Sequence, residues 1–243
     1  MNSSAYLRYE VLRNFRNWKF FVASLAFPLV LYLIVAGANR HADFNGTRFP
    51  LYFMVAMATL GTMAGVVSSA SVIATERSSG WIRQMRITPL RTVTYFAAKV
   101  INGYLRALVT IALMYLAGTL LGVRLPAREW LIVTGLLLVG LIPFTILGIL
   151  IGHLVGSDVS APAVAGIVTL FALLGGVYGF QIARSGAVFQ LVRTLPSYWL
   201  VQADQTAAGG GSWPPEGWIV IAAWTVALTL VAALAYGRGT SRT

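Results

Sequence analysis

Cysteine is absent from all 243 residues of the chain. Its absence excludes disulfides and thiolate metal sites, and it leaves the redox compartment undetermined. Charged residues are also scarce, at 10% of the chain, whereas soluble domains carry about 25%. Hydrophobic residues make up 58%. The composition therefore predicts an integral membrane protein whose apolar surface meets lipid and neighbouring helices.

Acidic residues are the rarer charge, with seven against 18 basic residues and a net charge of +11. None of the seven falls inside a long apolar run. Because proton- and sodium-coupled carriers usually rely on intramembrane acids, this absence disfavours a secondary transporter. The basic residues lie at the ends of apolar runs rather than on one face. We therefore interpret them as topology signals and headgroup anchors, and expect no nucleic-acid partner.

The chain lacks the residue patterns that are typical of ATP binding, metal binding and nucleophilic catalysis. The only lysines are Lys19 and Lys99, neither in a glycine loop, so the chain has no P-loop for ATP. Two histidines without nearby paired carboxylates disfavour a metal site. No serine or threonine is placed with a histidine and a carboxylate in a pattern that favours nucleophilic catalysis. We expect no catalytic residue, metal or cofactor in this chain.

Six apolar runs predict an all-α membrane protein, a single transmembrane domain over residues 1–243. The predicted spans are 20–38, 51–74, 100–122, 130–155, 161–182 and 217–236. Pro28 and Pro143 predict kinks in the first and fourth spans. Small residues recur every four positions in the second and fourth spans, which favours close packing against another helix.

Two regions outside the spans are expected to lie along the membrane surface. Residues 1–19 carry an apolar stripe flanked by basic residues, which predicts an N-terminal interfacial helix; a basic flank without fixed structure is the alternative. The 34-residue connector 183–216 contains two apolar stretches, 188–192 and 198–201, too short to span a bilayer. They predict short re-entrant or interfacial helices before the last span.

The longest polar break in the first half of the chain runs from Glu76 to Leu90. Between Gly80 and Pro89, eight residues can form about two helical turns. The apolar positions of such a helix are Trp81, Ile82 and Met85, and the basic positions on another side are Arg83 and Arg86. The pattern predicts a short amphipathic helix that contacts something outside the membrane. A solvated basic loop that only sets topology fits equally well.

Arg106 is the one strongly charged residue inside a predicted span. Lys99, Asn102 and Gly103 share its helix face at spacings of seven, four and three residues. An intramembrane arginine is costly and usually faces the bundle interior or a wet cavity. The alternative is that its long side chain snorkels to the interface. We take Asn102 and Arg106 as candidate substrate-pathway residues.

Charge also predicts the orientation. An even number of spans places both termini on one side, together with the Glu76–Leu90 segment, and eleven basic residues fall on that side against six on the other. The positive-inside rule therefore predicts that both termini and this segment are cytoplasmic.

In this layout, Glu76-Arg77, Gly80, Thr88-Pro89-Leu90 and Lys99 follow one another after the second span, and Leu195-Pro196-Ser197-Tyr198-Trp199 precedes the last. With the basic N-terminal stretch and the six spans, this ordered set resembles the membrane subunit of ABC-2-type transporters. This type of permease occurs in bacterial drug and antibiotic exporters. Trp81 departs from the pattern, since a polar residue often follows the glycine there.

The resemblance implies a separate cytoplasmic ATPase that binds ATP and magnesium and moves the short helix after Gly80. It assigns Glu76, Arg77, Gly80 and Pro89 to the coupling segment, with the turn 156–160 and its Asp158 as a second contact. The helix pattern agrees, since Trp81 and Met85 can fill a cleft on the ATPase, and Arg83 and Arg86 can pair with acids on its rim. The resemblance also implies a multi-pass protein of the bacterial plasma membrane, paired in the lipid bilayer with a second permease copy or a related chain.

The resemblance favours a hydrophobic or amphipathic small molecule as the exported cargo. A polysaccharide or lipid-linked glycan is the alternative cargo. A six-span scaffold or intramembrane enzyme without transport activity is the alternative class of protein.

Overall fold

The computed structural model describes residues 10, 18–44, 46–81, 92–178, 186–209 and 211–240, which are almost entirely helical. The helices are α1 (Trp18–Ala38), α2 (Phe49–Ser71), α3 (Ile73–Ser78), α4 (Thr92–Leu120), α5 (Ala127–Gly140), α6 (Ile142–Leu154), α7 (Ser157–Leu174), α8 (Ala187–Arg193), α9 (Pro196–Val201), α10 (Ala203–Gly209) and α11 (Pro215–Thr240). Two strands of two residues, β1 (Asp43–Phe44) and β2 (Thr47–Arg48), form an antiparallel hairpin between α1 and α2.

Helix α2 is the centre of the bundle. It packs against α1, α4, α6 and α7, and α9 and α10 also contact it. The apolar stretch that α2 forms with α3 is 83% buried, whereas that of α11 is 6% buried. In a membrane, lipid is as apolar as a protein core, so burial reports position rather than hydrophobicity. The core therefore surrounds α2, and α11 lies at the periphery, mainly against α6.

Small residues let α6 approach α2 closely. A Cβ added to Gly148 would lie 2.7 Å from the Val67 carbonyl oxygen, and one added to Gly152 would lie 2.8 Å from Cβ of Ile73. Both distances are too short for any larger residue. The close-packing prediction for the fourth run is confirmed at these two glycines.

The kink predicted at Pro143 is a break between two helices. Helix α5 ends at Gly140 and α6 begins at Ile142, with Leu141 between them. Because Pro143 has no N–H, it cannot continue the hydrogen-bond ladder to the carbonyl four residues earlier. The Thr145 hydroxyl donates to the Leu141 carbonyl at 3.0 Å and supports the second segment.

Five helical stretches in the described residues are long and apolar enough to cross a membrane. They are Phe49–Ser78, Val93–Leu120, Ala127–Leu154, Ser157–Leu174 and Pro215–Ala235. Helix α1 precedes them and is continuous through Pro28; its stretch Leu25–Ala38 is apolar but shorter. The chain is thus a mostly helical protein compatible with a membrane, and the full six-span layout stays a prediction.

Some boundaries differ from the sequence-based ones. Helix α4 extends from Thr92 to Leu120, whereas the third span was predicted over 100–122. Helix α7 begins at Ser157 and ends at Leu174, whereas 161–182 was expected. Its end coincides with Gly176, whose φ of 81° turns the chain out of the helix. Apolar composition marks the buried part of a helix but not its polar first turns or a glycine stop.

The connectors hold both expected and unexpected elements. Helices α8 and α9 include the two short apolar stretches predicted before the last span, while α10 and the β1–β2 hairpin were not predicted. The hairpin departs from an all-α fold by four residues. The predicted N-terminal interfacial helix and the predicted coupling helix after Gly80 lie almost entirely outside the described residues.

Candidate functional site

A buried ion cluster joins three separate parts of the chain. The Lys99 ammonium on α4 donates to Oε1 of Glu10 and to Oε1 of Glu76, each at 2.6 Å. The Tyr95 hydroxyl donates to Oε2 of Glu76 at 2.6 Å. All four residues are at most 5% exposed. Two carboxylates thus share one lysine, and the cluster joins Glu10 to α3 and α4.

The length of the helices explains why charges are buried at this end. The stretch Phe49–Ser78 has 30 residues and α4 has 29, about 45 Å each at 1.5 Å per residue. A hydrocarbon core is about 30 Å thick, so both helices extend beyond it. Glu76 and Lys99 each lie within eight residues of the adjacent helix ends. We therefore expect the cluster to lie in a part of the bundle that projects from the membrane.

Arg77 faces away from the cluster and contacts the end of α6. Its guanidinium donates to the carbonyl oxygens of His153 and Val155, the latter at 3.5 Å. Carbonyls in the last turn of a helix lack backbone donors and carry its negative dipole end, so a cation there is favourable. Neighbouring residues of α3 therefore join this short helix to α4 on one side and to α6 on the other.

Asp158 lies next to this contact, in the first turn of α7. It is exposed, and its Oδ1 accepts a hydrogen bond from the Ser157 hydroxyl at 2.9 Å. The N-cap is Gly156, without a side-chain cap bond. The Asp158 carboxylate instead sits in the first turn, where the helix dipole favours a negative charge. Because α3 packs against α7, both predicted coupling contacts lie at one end of the bundle.

The chain turns sharply where it leaves this cluster. Gly80 has a φ of 75°, a conformation that glycine adopts without strain. Trp81 follows it half-buried, and its indole N–H meets no acceptor within the described part of the chain. The other predicted coupling residues, Arg83, Met85, Arg86 and Pro89, lie outside the described residues.

Arg106 lines a cleft between α1, α2, α4 and α7. The cleft has a volume of about 560 Å³, which is in the range of small-molecule sites. Hydroxyl residues line it together with apolar ones: Ser68, Ser71, Thr75, Ser160, Thr169 and Tyr178, and Phe27, Pro28, Leu60, Val164 and Val168. We call it the Arg106 cleft.

Asn102 lies one turn from Arg106 but is not among the described residues that line the cleft. It is 4% exposed, and its Oδ1 atom accepts no hydrogen bond from the described residues. A buried amide oxygen without a donor is costly, so this position is open to a donor from a ligand or a second chain. The two predicted pathway residues thus differ in their surroundings.

Sequence reasoning missed Glu10 and Tyr95 and placed Lys99 at the start of a span rather than in an ion cluster. The sequence offered one signal for this cluster, namely the small number of lysines and acidic residues in the chain. The chain has two lysines and seven acids, yet one lysine and two acids of this small set meet here. Which of them pair could not be derived, because Glu10 and Lys99 are 89 positions apart.

Comparison with known proteins gives two findings. Residues 38–236 match a model of a family described as ABC-2 family transporter protein. The chain is also 25% identical over 205 residues to a Bacillus subtilis (strain 168) protein that carries the name transport permease YvfS. That alignment covers 84% of each chain. The family match includes the ion cluster apart from Glu10, the Arg106 cleft apart from Phe27 and Pro28, and the connector 183–216.

Proposed function

The chain belongs to the ABC-2 transporter family, and from that premise we propose that it is the permease subunit of an exporter powered by a separate cytoplasmic ATPase. The ATPase binds ATP and magnesium and docks where the chain leaves α3. Both termini and this docking end face the cytoplasm of a bacterial cell, and two permease copies, or one copy and a related chain, assemble in the plasma membrane.

One observation carries the coupling role: Glu76, Arg77 and Asp158 lie together at the projecting end of the bundle. Glu76 is tied to α4 through Lys99, and Arg77 is tied to the end of α6. A displacement applied to the segment after Gly80 would therefore reach several membrane helices through direct polar contacts. Coupling in a transporter requires such a contiguous physical connection.

Trp81 offers a docking group at this end. Tryptophan is enriched among the residues that dominate binding energy at protein interfaces. Its indole N–H has no acceptor in the described part of the chain, and a partner carbonyl or carboxylate would satisfy it. Arg83 and Arg86 add positive charge two and five residues further on, which suits an acidic rim on the ATPase.

The test is purification of the tagged chain from its native membrane, followed by mass spectrometry of what accompanies it. We expect an ABC-type ATPase to co-purify, and the chain freed of it to hydrolyse no ATP. The double variant Arg83→Glu/Arg86→Glu should weaken that association and lower ATP hydrolysis by the complex. Unchanged association in this variant would remove the proposed docking role.

A matched control uses the opposite end of the bundle. Arg124 is exposed in the α4–α5 connector and Arg128 in the first turn of α5, and we place both outside the cell. The double variant Arg124→Glu/Arg128→Glu makes the same change in net charge and should leave the association intact. If both double variants weaken it equally, net charge rather than a local contact governs assembly.

The proposed cargo is a hydrophobic or amphipathic small molecule, such as a drug or antibiotic. The size of the Arg106 cleft supports this class, since about 560 Å³ suits one small molecule. Export assays with the reconstituted complex in vesicles would test direction and cargo together. Uptake into inside-out vesicles only in the presence of ATP is the expected result.

A further inference from the structure

We propose that a cleft in the connector before α11 binds a neutral saccharide, with a sugar ring against its aromatic side chains and sugar hydroxyls at Gln202 and Gln205. This goes beyond the proposed function and rests on it only for the side of the membrane from which the sugar arrives. Binding itself needs neither ATP nor the ATPase. The site is separate from the Arg106 cleft, since no described residue lines both.

The cleft lies where α8, α9 and α10 meet the segment that leads into α11. Its volume is about 480 Å³, which is in the range of small-ligand sites and suits a mono- or disaccharide. Trp199 and Trp213 in its lining are buried, whereas Gln205 and Ser212 are exposed. The cleft therefore has a buried aromatic floor and an exposed polar rim. We call it the connector cleft.

Aromatic rings form the apolar part of the lining. The rings of Phe189 and Tyr198 meet edge to face with their centroids 6.2 Å apart, and those of Tyr198 and Trp199 do so at 5.2 Å. These contacts fix the orientation of the three rings. A pyranose ring presents C–H groups on its faces, and their slight positive charge suits the negative face of an aromatic ring. The lining thus offers a rigid apolar surface to a sugar ring.

The polar groups of the cleft offer both donors and acceptors. In the described part of the chain, the amides of Gln202 and Gln205 make no hydrogen bond. The hydroxyls of Thr206 and Ser212 donate to nearby backbone carbonyls, which leaves their oxygens as acceptors. The buried indole N–H of Trp213 meets no acceptor among the described residues, which is costly unless a ligand supplies one. Sugar hydroxyls, which both donate and accept, match this mixture.

The charges of the cleft disfavour an ionic ligand. Of the described lining residues only Arg193 is charged, and its guanidinium binds Glu216. It also lies 5.6 Å from the centroid of the Phe189 ring, a cation–π distance. A cationic ligand would meet a like charge beside this ring, and an anionic ligand would have to displace Glu216. A neutral ligand has neither cost.

The test uses the purified full-length chain in nanodiscs of phosphatidylethanolamine and phosphatidylglycerol, without glycosidic detergents. The probe is cellobiose, and sorbitol is its counterpart, since sorbitol has the hydroxyl groups of a sugar but no ring. Titrations are followed by tryptophan fluorescence, because Trp199 and Trp213 line the cleft. We expect cellobiose to bind about 10-fold more tightly than sorbitol. Equal affinities, or no saturable change with cellobiose, would overturn the proposal without any mutation.

A double variant locates the sugar. Gln202→Ala/Gln205→Ala should weaken cellobiose binding about 5- to 100-fold, because two hydrogen bonds to the sugar are lost. Gln190→Ala is the matched control, since Gln190 is exposed in α8 and is not among the described lining residues. Unchanged binding in the double variant, or equal weakening in the control, would overturn the assignment to this cleft. Thermal unfolding of each variant shows whether it is folded.

The length of the sugar separates two sources of the ligand. If cellohexaose binds more tightly than cellobiose, the ligand is a glycan chain that extends past the exposed rim; otherwise it is a short free sugar. Both results support a saccharide site. Failure of the titration leaves the co-purification of the ATPase untouched, so this inference and the proposed function can fail separately.

Discussion

Lys99 holds together the buried ion cluster at the projecting end of the bundle. It is 2% exposed and holds two carboxylates. Removing one partner of a buried ion pair leaves charge without compensation, and this costs more than the pair contributes. Here the loss of Lys99 would leave Glu10 and Glu76 facing each other in a buried site.

We expect Lys99→Met to lower the free energy of unfolding by about 3–5 kcal/mol. The triple variant Lys99→Met/Glu10→Gln/Glu76→Gln should recover most of the loss, because the buried carboxylates are then neutral. Thermal unfolding in detergent, followed by tryptophan fluorescence, measures both. Arg128→Met is the control, since Arg128 is exposed. If the Arg128→Met and Lys99→Met variants unfold at the same temperature, Lys99 does not have the proposed stabilising role.

Asp204 is a second buried acidic residue, in α10 of the connector before α11. It is 2% exposed, and burial raises the pKa of its carboxyl to about 7, while backbone N–H groups of Gln205 and Asp204 partly offset the rise. The unfolded chain has the usual pKa of 3.8. Between these values the folded state keeps a proton that the unfolded state has released.

Stability should therefore fall as the pH rises from about 4 to 7 and level off above that range, by up to about 4 kcal/mol. The stability of the Asp204→Asn variant should not change with pH between about 4 and 7. At pH 8 this variant should be more stable than the wild type. Melting temperatures measured at several pH values test this prediction. Asp43→Asn, at an exposed position in the hairpin, should keep the wild-type slope; a wild-type slope in Asp204→Asn would refute the assignment.

At the scale of elements, the fourth predicted span shows what could be read from the sequence. The apolar run, the break at Pro143 and the close-packing glycines were all evident, because each follows from local chemistry. The partner of those glycines was not evident, since Val67 and Ile73 are distant in sequence. The ion cluster of Lys99 was also not evident, because Glu10 and Glu76 are distant from Lys99 in sequence.

The candidate site divides in the same way. Arg106 was selected from its position inside an apolar run, and Glu76 and Arg77 were selected from the family resemblance of the polar segment that they begin. Their contacts with Lys99, with the end of α6 and with the cleft depend on how helices pack side by side. Periodicity gives the face of a helix but not its neighbour.

The contact between α6 and α2 leads to a prediction about the element. Gly148→Val would place a side chain against the Val67 carbonyl, which lies 2.7 Å from an ideal Cβ at this position. We expect α6 to be forced away from α2, with a loss of about 1–3 kcal/mol and a lower yield of monodisperse protein. Gly135→Val in α5 is the matched control, because nothing lies within 4 Å of its added Cβ. Equal melting temperatures for the two variants would show that the contact is not tight.

At the scale of the whole molecule, the orientation is open to direct measurement. The chain has no cysteine, so a single introduced cysteine reports its position without background. Ser79, beside the proposed docking end, and Ser212, in the connector before α11, are both exposed.

We expect Ser212→Cys to react with a membrane-impermeant maleimide in intact cells and Ser79→Cys to react only after lysis. The reason is the excess of basic residues on the side of Ser79. The accessibility of each cysteine is measured by labelling both variants before and after lysis and detecting the reaction as a gel shift. The reverse pattern would place the docking end outside the cell and exclude a cytoplasmic ATPase there.

Helices α2 and α3 form a nearly continuous rod that is held at both tips. Near one tip the Tyr52 hydroxyl donates to the Gly176 carbonyl just after α7, and near the other Glu76 is bound to Lys99. A rod pinned in this way cannot tilt alone, because its neighbours must follow. A displacement of the Glu76 end of this rod would therefore reach the opposite end as a shift of the Gly176 turn, with the middle of the bundle as the pivot.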